Sequence, residues 1–342
     1  MRTSQVQLAR RPEGEPGDDT YAFVEVDLPP LSMGQVLLRV VYLSLDPYMR
    51  GRMSAAESYA APVDIGDAMV GGTVCEVLES RHDDFAPGEL VLSYSGWQTH
   101  AVTDGSRLRK LDPSAAPVST ALGVLGMPGF TAYAGLLEIG RPQPGETVVV
   151  AAATGPVGSA VGQIAGLKGA WAVGIAGGPE KCRSLIDDFG FDAAIDHRSS
   201  TFPDDLAAAV PDGIDVYFEN VGGHVAREVF KRMNLYGRVP VCGLVADYNA
   251  SGSPEGIDRL PGFMRRVLTK SLTVRGFIQG EFTRSHGPDF MRDMSAWVAD
   301  GSVRYKEHVV DGLDAAPQAF RDLLAGRNFG KMLVRVSPDP TR

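Results

Sequence analysis

The run Glu146-Thr147-Val148-Val149-Val150-Ala151-Ala152-Ala153-Thr154-Gly155-Pro156-Val157-Gly158 decides how the rest of the chain is read. Its first part is β-branched and uncharged after Glu146, the pattern of a strand buried on both faces. Val157, Val161, Ile164 and Leu167 then recur at helical spacing and make one apolar stripe. A second apolar run, from Trp171 to Ala176, stops at Gly177-Gly178. Strand, glycine turn, helix and strand form the βαβ unit that seats a dinucleotide pyrophosphate on a helix N-terminus. Glycine at 155 and 158 lets phosphate oxygens reach backbone N–H groups that a Cβ would hold off. The turn departs from the three-glycine pattern, because Ala152 stands in the first position. A plain buried glycine turn is the other reading.

The residues at the end of the second strand select the dinucleotide. An NAD site has an acid there to accept the ribose hydroxyls. Here the residues are Gly177-Gly178-Pro179-Glu180-Lys181. Small residues leave room for a 2′-phosphate, and Lys181 supplies a point charge. Glu180 falls late and is expected to open the next helix, where a carboxylate suits the dipole. NADPH is therefore expected over NADH, unless Lys181 is simply a solvated helix residue.

At 342 residues the chain is long enough for two domains. A charge of −9 disfavours nucleic acid and anionic membranes as partners, so an anionic cofactor must be held by local dipoles and placed cations. Cys75, Cys182 and Cys242 contain no C-x-x-C pair and make neither a disulfide framework nor a structural zinc site. They read as small buried residues or inert thiols. The N-terminus has no apolar signal region, and Glu13-Gly14-Glu15 with Asp18-Asp19 is too acidic for a transit peptide. With no apolar run of membrane-spanning length, a cytoplasmic protein is expected.

Gln5 to Asp19 is polar and rich in Pro and Gly, and reads as an exposed lead-in. From Tyr21 to about Val102 short strands lie between turns, among them Val36–Leu45, Gly71–Glu79 and Glu89–Ser93, which suggests a partly open β-barrel. From Thr147 to about Phe277 strands and helices alternate as a parallel sheet requires, with strands expected at Val148–Ala152, Ala172–Ala176, Ala194–Asp196, Val216–Glu219, Arg238–Cys242 and Leu272–Gly276. Asp289 to Asp300 reads as a helix, and Gly330–Val336 as a strand returning to the first domain. The expected fold class is α/β, with a barrel domain from residues 1–121 and 301–342 and a doubly wound Rossmann domain from 122–300.

Several motifs occur in an order that resembles one family over nearly the whole chain. They are Leu45-Asp46-Pro47-Tyr48-Met49-Arg50-Gly51-Arg52-Met53, Gly126-Met127-Pro128-Gly129-Phe130-Thr131-Ala132-Tyr133, and Gly162-Gln163-Ile164-Ala165. Downstream lie Glu219-Asn220-Val221-Gly222-Gly223, Cys242-Gly243 with Asp247-Tyr248-Asn249, and Asn328-Phe329-Gly330-Lys331. The chain resembles the medium-chain dehydrogenase/reductases, and within them the zinc-independent leukotriene B4 dehydrogenase, prostaglandin reductase and alkenal double-bond reductase branch, including curcumin-reductase-like members. The resemblance implies a GroES-like barrel, a Rossmann domain, a homodimer, and NADPH-dependent reduction of the C=C bond of small enones and enals. Hydride would reach the β-carbon while charge builds on the carbonyl oxygen, where a donor favours the enolate over the ground state.

By the same resemblance Tyr248 matches the donor and Tyr48 a pocket wall or second donor. Gly155, Val157 and Gly158 would face the pyrophosphate and Lys181 the 2′-phosphate. Gly178, Asn220, Cys242, Phe277 and Asn328 are further expected cofactor contacts, although both asparagines also suit turns or caps. Arg50 and Arg52 are either ligand contacts or solvated strand-end charges. The chain departs from the family in two places. His197, with Arg198 next to it, replaces a tyrosine that touches the 2′-phosphate; a protonated imidazole there would add charge, so NADPH binding is expected to weaken as pH rises above about 6.5. Gly72 replaces a pocket tyrosine, which implies a wider pocket or a β-bulge. A quinone oxidoreductase of the same fold and a non-catalytic NADPH-binding protein are the alternatives.

Overall fold

Alternating apolar and polar residues build the first strands. In the computed structural model, which describes residues 1–250 and 258–342, β1 (Arg2–Leu8) pairs antiparallel with β2 (Tyr21–Asp27), from Arg2 opposite Asp27 to Leu8 opposite Tyr21. This corrects the exposed lead-in expected from Gln5. Val6 and Leu8 are fully buried, and they alternate with Gln5 and Gln7 at the period of a half-buried strand. Their core is built on Trp97, which stacks on Tyr21 at 5.7 Å and meets Phe320 edge-on at 5.8 Å. Arg11 donates to the carbonyls of Met53 and Val63, each at 3.0 Å.

The chain divides into two compact units, Met1–Leu122 with Glu307–Arg342, and Gly123–Lys306. In the first, β3 (Val36–Ser44) precedes α1 (Tyr48–Arg52), β4 (Thr73–Ser80), β5 (Leu90–Ser93), β6 (His100–Thr103) and the short β7 (Arg109–Lys110). β3 pairs along one edge with β4, and its other edge is shared between β6 and the returning C-terminal strand. Register shifts at Leu37/Leu38 and Val40/Tyr42 bend it, as bulges do in curled sheets.

The second unit opens with α2 (Met127–Ala134), which runs on into a π-helical turn at Gly135–Gly140. Then come β8 (Thr147–Ala151), α3 (Pro156–Leu167), β9 (Trp171–Ala176), α4 (Pro179–Asp187), β10 (Ala193–Asp196), α5 (Phe202–Ala209), β11 (Ile214–Phe218) and α6 (Gly223–Lys231). β12 (Met233–Val241), α7 (Leu260–Lys270), β13 (Thr273–Gly276) and α8 (Thr283–Ala299) complete it. All six strands are parallel, in the order β10-β9-β8-β11-β12-β13. That is the doubly wound order, with its switch point between β8 and β11.

Two elements begin earlier than expected. β12 starts at Met233 and not Arg238, because a bulge at Tyr236, with φ 63°, interrupts the pattern. α8 starts at Thr283 and not Asp289, carrying Pro288 inside its early turns. Back in the first unit, β14 (Glu307–Asp311) runs parallel to β15 (Lys331–Arg335), with α9 (Ala316–Leu324) between them in sequence. Among the described residues no helix is long and apolar enough to cross a membrane.

Candidate active site and nucleotide site

The turn after β8 is built for an anion. Ala152 adopts the left-handed region, with φ 52°, a conformation that glycine takes at less cost. Gly155 caps α3 and donates to Ala152 O at 3.0 Å, and Pro156 at the first helical position has no N–H to offer. No side chain caps this helix start among the described residues, so the first-turn N–H groups of Val157 and Gly158 are left for an external acceptor. Gly158 has a further reason to be glycine. A Cβ there would lie 2.5 Å from Ala152 O and 2.7 Å from Ala153 Cα. The close approach of helix to turn, and not the phosphate alone, excludes a side chain.

Cations gather where β9 ends. A Cβ on Gly177 would lie 2.8 Å from Arg198 Nε and 3.0 Å from His197 Nε2, so both side chains lie over bare backbone. Gly178 takes φ 101° and donates its N–H to Asp196 Oδ1 at 2.8 Å; Arg198 N–H binds the same oxygen at 2.9 Å. Burial alone would raise the Asp196 carboxyl, but those donors, then His197 and Arg198, bring it below its ordinary value. Lys181 lies in the first turn of α4 beside Glu180, and its ammonium is lowered by burial and then by Arg198. Lys181 and Arg198 suit a 2′-phosphate, which would meet their charge in addition to the carboxylates of Glu180 and Asp196.

The His197 ring is pushed toward its neutral form. Burial first, then His224 and Arg198, hold it below the ordinary imidazole value. The His224 ring lies 5.4 Å away, and its Nε2–H donates to His197 O at 3.2 Å. That direction in the free protein runs against the protonated imidazole expected from the sequence, which a bound phosphate would favour.

At the carboxyl ends of β11 and β12 a second group assembles. Asn220 donates its side-chain N–H to Ala151 O at 2.9 Å, tying the ends of β8 and β11 together. Glu219, to which the motifs gave no role, is buried and accepts the N–H groups of Val221 and Gly222 at 2.6 and 2.9 Å. Burial raises its carboxyl. Cys242 donates its N–H to Glu219 O at 2.9 Å, and burial pushes its thiol up to about 12. Beyond it a Cβ on Gly243 would meet the Tyr248 hydroxyl at 3.2 Å. Tyr248 therefore aims its phenol back over the strand ends, where ligands of such sheets bind. Phe277 turns its ring into the core against Phe218 and Phe282, at 6.1 and 6.0 Å, and packs beneath the site.

The first unit carries the other tyrosine. Tyr48 opens α1, half-buried, with its phenol raised by burial and then by Asp46 and Tyr94. A side chain at Gly72 would meet Leu122 Cδ2 at 3.4 Å and Tyr94 Cε1 at 3.9 Å. Asn328 uses its amide to close a turn on Gly330 O at 2.8 Å. Arg50 is not a solvated charge: it is buried and donates to Gly14 O at 2.8 Å and Pro12 O at 3.3 Å.

Against known proteins, residues 4–111 match the family described as N-terminal domain of oxidoreductase, and residues 156–299 the family described as zinc-binding dehydrogenase. The NADPH-dependent curcumin reductase of Escherichia coli K12 is 53% identical over 339 residues, spanning 99% of this chain and 98% of that protein. The chain belongs to the medium-chain dehydrogenase/reductases, in their double-bond reductase branch. The NADP(+)-dependent 2-alkenal reductase of Nicotiana tabacum is 41% identical over 314 residues, 90% of this chain and 89% of the relative. The crystal structure of CurA from Vibrio vulnificus in complex with NADPH superposes with a TM-score of 0.95 at 50% identity, covering 99% of this chain and 100% of that one. The second family's description mentions zinc. Among the described residues no group of three or more His, Cys, Asp and Glu stands together to hold a metal ion. The residues present there do not fit zinc.

Proposed function

We infer that this protein is an NADPH-dependent reductase of the C=C bond of α,β-unsaturated ketones and aldehydes. NADPH supplies the hydride, delivered to the substrate's β-carbon. The observation that carries the reading is the Tyr248 hydroxyl, held over Gly243 beside Asn220 at the carboxyl ends of the sheet. A phenol there donates to the carbonyl oxygen as charge builds on it, a contact stronger in the transition state than in the ground state. Tyr48, in the first unit, is assigned to the substrate as a wall or second donor, and its raised phenol keeps its proton. The α-carbon then takes a proton from water. The Val157 and Gly158 N–H groups seat the pyrophosphate, while Lys181, His197 and Arg198 receive the 2′-phosphate.

NADPH oxidation with a panel of small and aryl-substituted enones, an enal and one quinone tests this, with the reduced C=C product identified. Turnover of the quinone alone, or of nothing, overturns it. We place the protein in the cytoplasm, in keeping with its three free thiols, and as a homodimer, for which the outer strand β13 offers an open edge.

A further inference from the structure

Lys331 opens β15 and is among the largest fully buried side chains. Its ammonium donates to Leu45 O at 2.7 Å and to Asp46 Oδ1 at 2.6 Å. The other carboxylate oxygen of Asp46 accepts the Ser44 hydroxyl. Backbone bonds close the same knot: Leu45 N–H to Met332 O at 3.2 Å, and Met49 N–H to Asp46 O at 3.0 Å. The knot lies at the entry to α1, which Tyr48 begins.

A buried ion pair is a poor way to hold a core together. Desolvation costs several kcal/mol per ion, and an apolar pair of similar volume often serves stability as well or better. The setting already suits one, since Leu45, Met49, Met53 and Met332 pack there. Burial does lower the Lys331 ammonium, opposed by Asp46 and then Glu307. What the ion pair supplies, and methyl groups do not, is direction. It pins one carbonyl and one carboxylate oxygen, and so sets the course of the backbone into α1. It also keeps a carboxylate charge near the Tyr48 phenol, which Tyr94, Arg52 and Tyr59 face as well.

We propose that Lys331 is a positioning residue for Tyr48: clamped on Leu45 O and Asp46 Oδ1, it fixes the turn from which Tyr48 rises and holds Asp46 as the carboxylate beside that phenol. The proposal rests on the reading of Tyr48 as a group that touches substrate. Lys331→Met alone leaves Asp46 buried and uncompensated, and is expected to melt early. The informative variant is therefore Asp46→Asn/Lys331→Met, which removes both charges, with Lys331→Arg as the conservative control.

Melting temperature, NADPH affinity from nicotinamide fluorescence, and kcat and KM for an enone are measured for each. The double variant is expected to melt cooperatively and bind NADPH as wild type does. It should lose about ten-fold in kcat/KM for the enone, and adding Tyr48→Phe should cost less than about two-fold more. Lys331→Arg should recover part of the loss. Unchanged kcat/KM, or a loss that multiplies with that of Tyr48→Phe, overturns the proposal. Failure of the reductase reading shows separately, as wild-type protein that binds NADPH but reduces no enone, and the proposal then falls with it.

Discussion

Arg198 and His197 lie so close over Gly177 that a methyl group there would displace them. The two differ in what they bring to a phosphate. Arg198 is exposed and its guanidinium stays charged as arginine does, whereas burial, His224 and Arg198 hold the His197 imidazole below its ordinary value. Arg198→Ala is accordingly expected to raise the Kd for NADPH about ten-fold while leaving NADH binding unchanged, as calorimetry with both cofactors reads directly. Burial lowers the imidazole in the free protein, and a phosphate beside it would raise it in the complex, so any tightening by His197 is largest at low pH and fades as pH rises through the imidazole's value in the complex. NADPH affinity of wild type divided by that of His197→Asn, a ratio that cancels the phosphate's own titration, should therefore rise as pH falls from 8 to 5. A ratio flat across that range would remove His197 from phosphate binding. Tyr248→Phe removes the donor over Gly243 and should lower kcat on enones about ten-fold or more, with NADPH affinity kept.

Among the elements, the turn between β8 and α3 makes opposite demands at its two ends. Ala152 holds a left-handed conformation that costs an L-residue about 1 kcal/mol. Ala152→Gly should therefore raise stability by about that amount, seen as a higher denaturation midpoint with the slope unchanged. Gly158→Ala forces a methyl against Ala152 O and should cost about 1–3 kcal/mol and weaken NADPH binding together. The parallel strands were legible because buried β-branched runs between glycine turns have little else to be. β1 was not, because two alternating pairs are a short signal beside the Pro and Gly that come after them. The starts of β12 and α8 were hidden by residues that normally end an element, the bulge at Tyr236 and Pro288. Site residues were legible as types, since a glycine–cation run or a lone tyrosine shows in the chain itself. Their aim was not: Asp46 and Lys331 are 285 residues apart, and no local pattern says that one neutralises the other.

For the whole molecule, the six-stranded sheet ends in β13, whose residues Thr273 to Gly276 are all exposed. An outer strand with open backbone groups pairs with another chain unless it is blocked. Close by in sequence, α7 buries none of its residues and carries Leu260, Met264 and Leu268 at four-residue spacing, 61%, 53% and 79% exposed. Ile278, just past β13, is also exposed. Singly exposed apolar residues are ordinary, but an apolar helical stripe together with an open edge is the surface we propose for the homodimer. A second copy related by a two-fold axis would meet the same edge and stripe, which makes the contact self-complementary. Val274→Pro removes an edge N–H and Leu268→Asp charges the stripe. The pair is expected to shift the protein from dimer to monomer in light scattering at micromolar concentration, with the melting temperature lowered and made less dependent on protein concentration. A wild-type monomer would remove the homodimer, and a dimer indifferent to both substitutions would place the contact elsewhere. Residues 260–278 carry no group assigned to the nucleotide turn, the cation cluster or the tyrosines apart from Phe277, so NADPH affinity should survive the split.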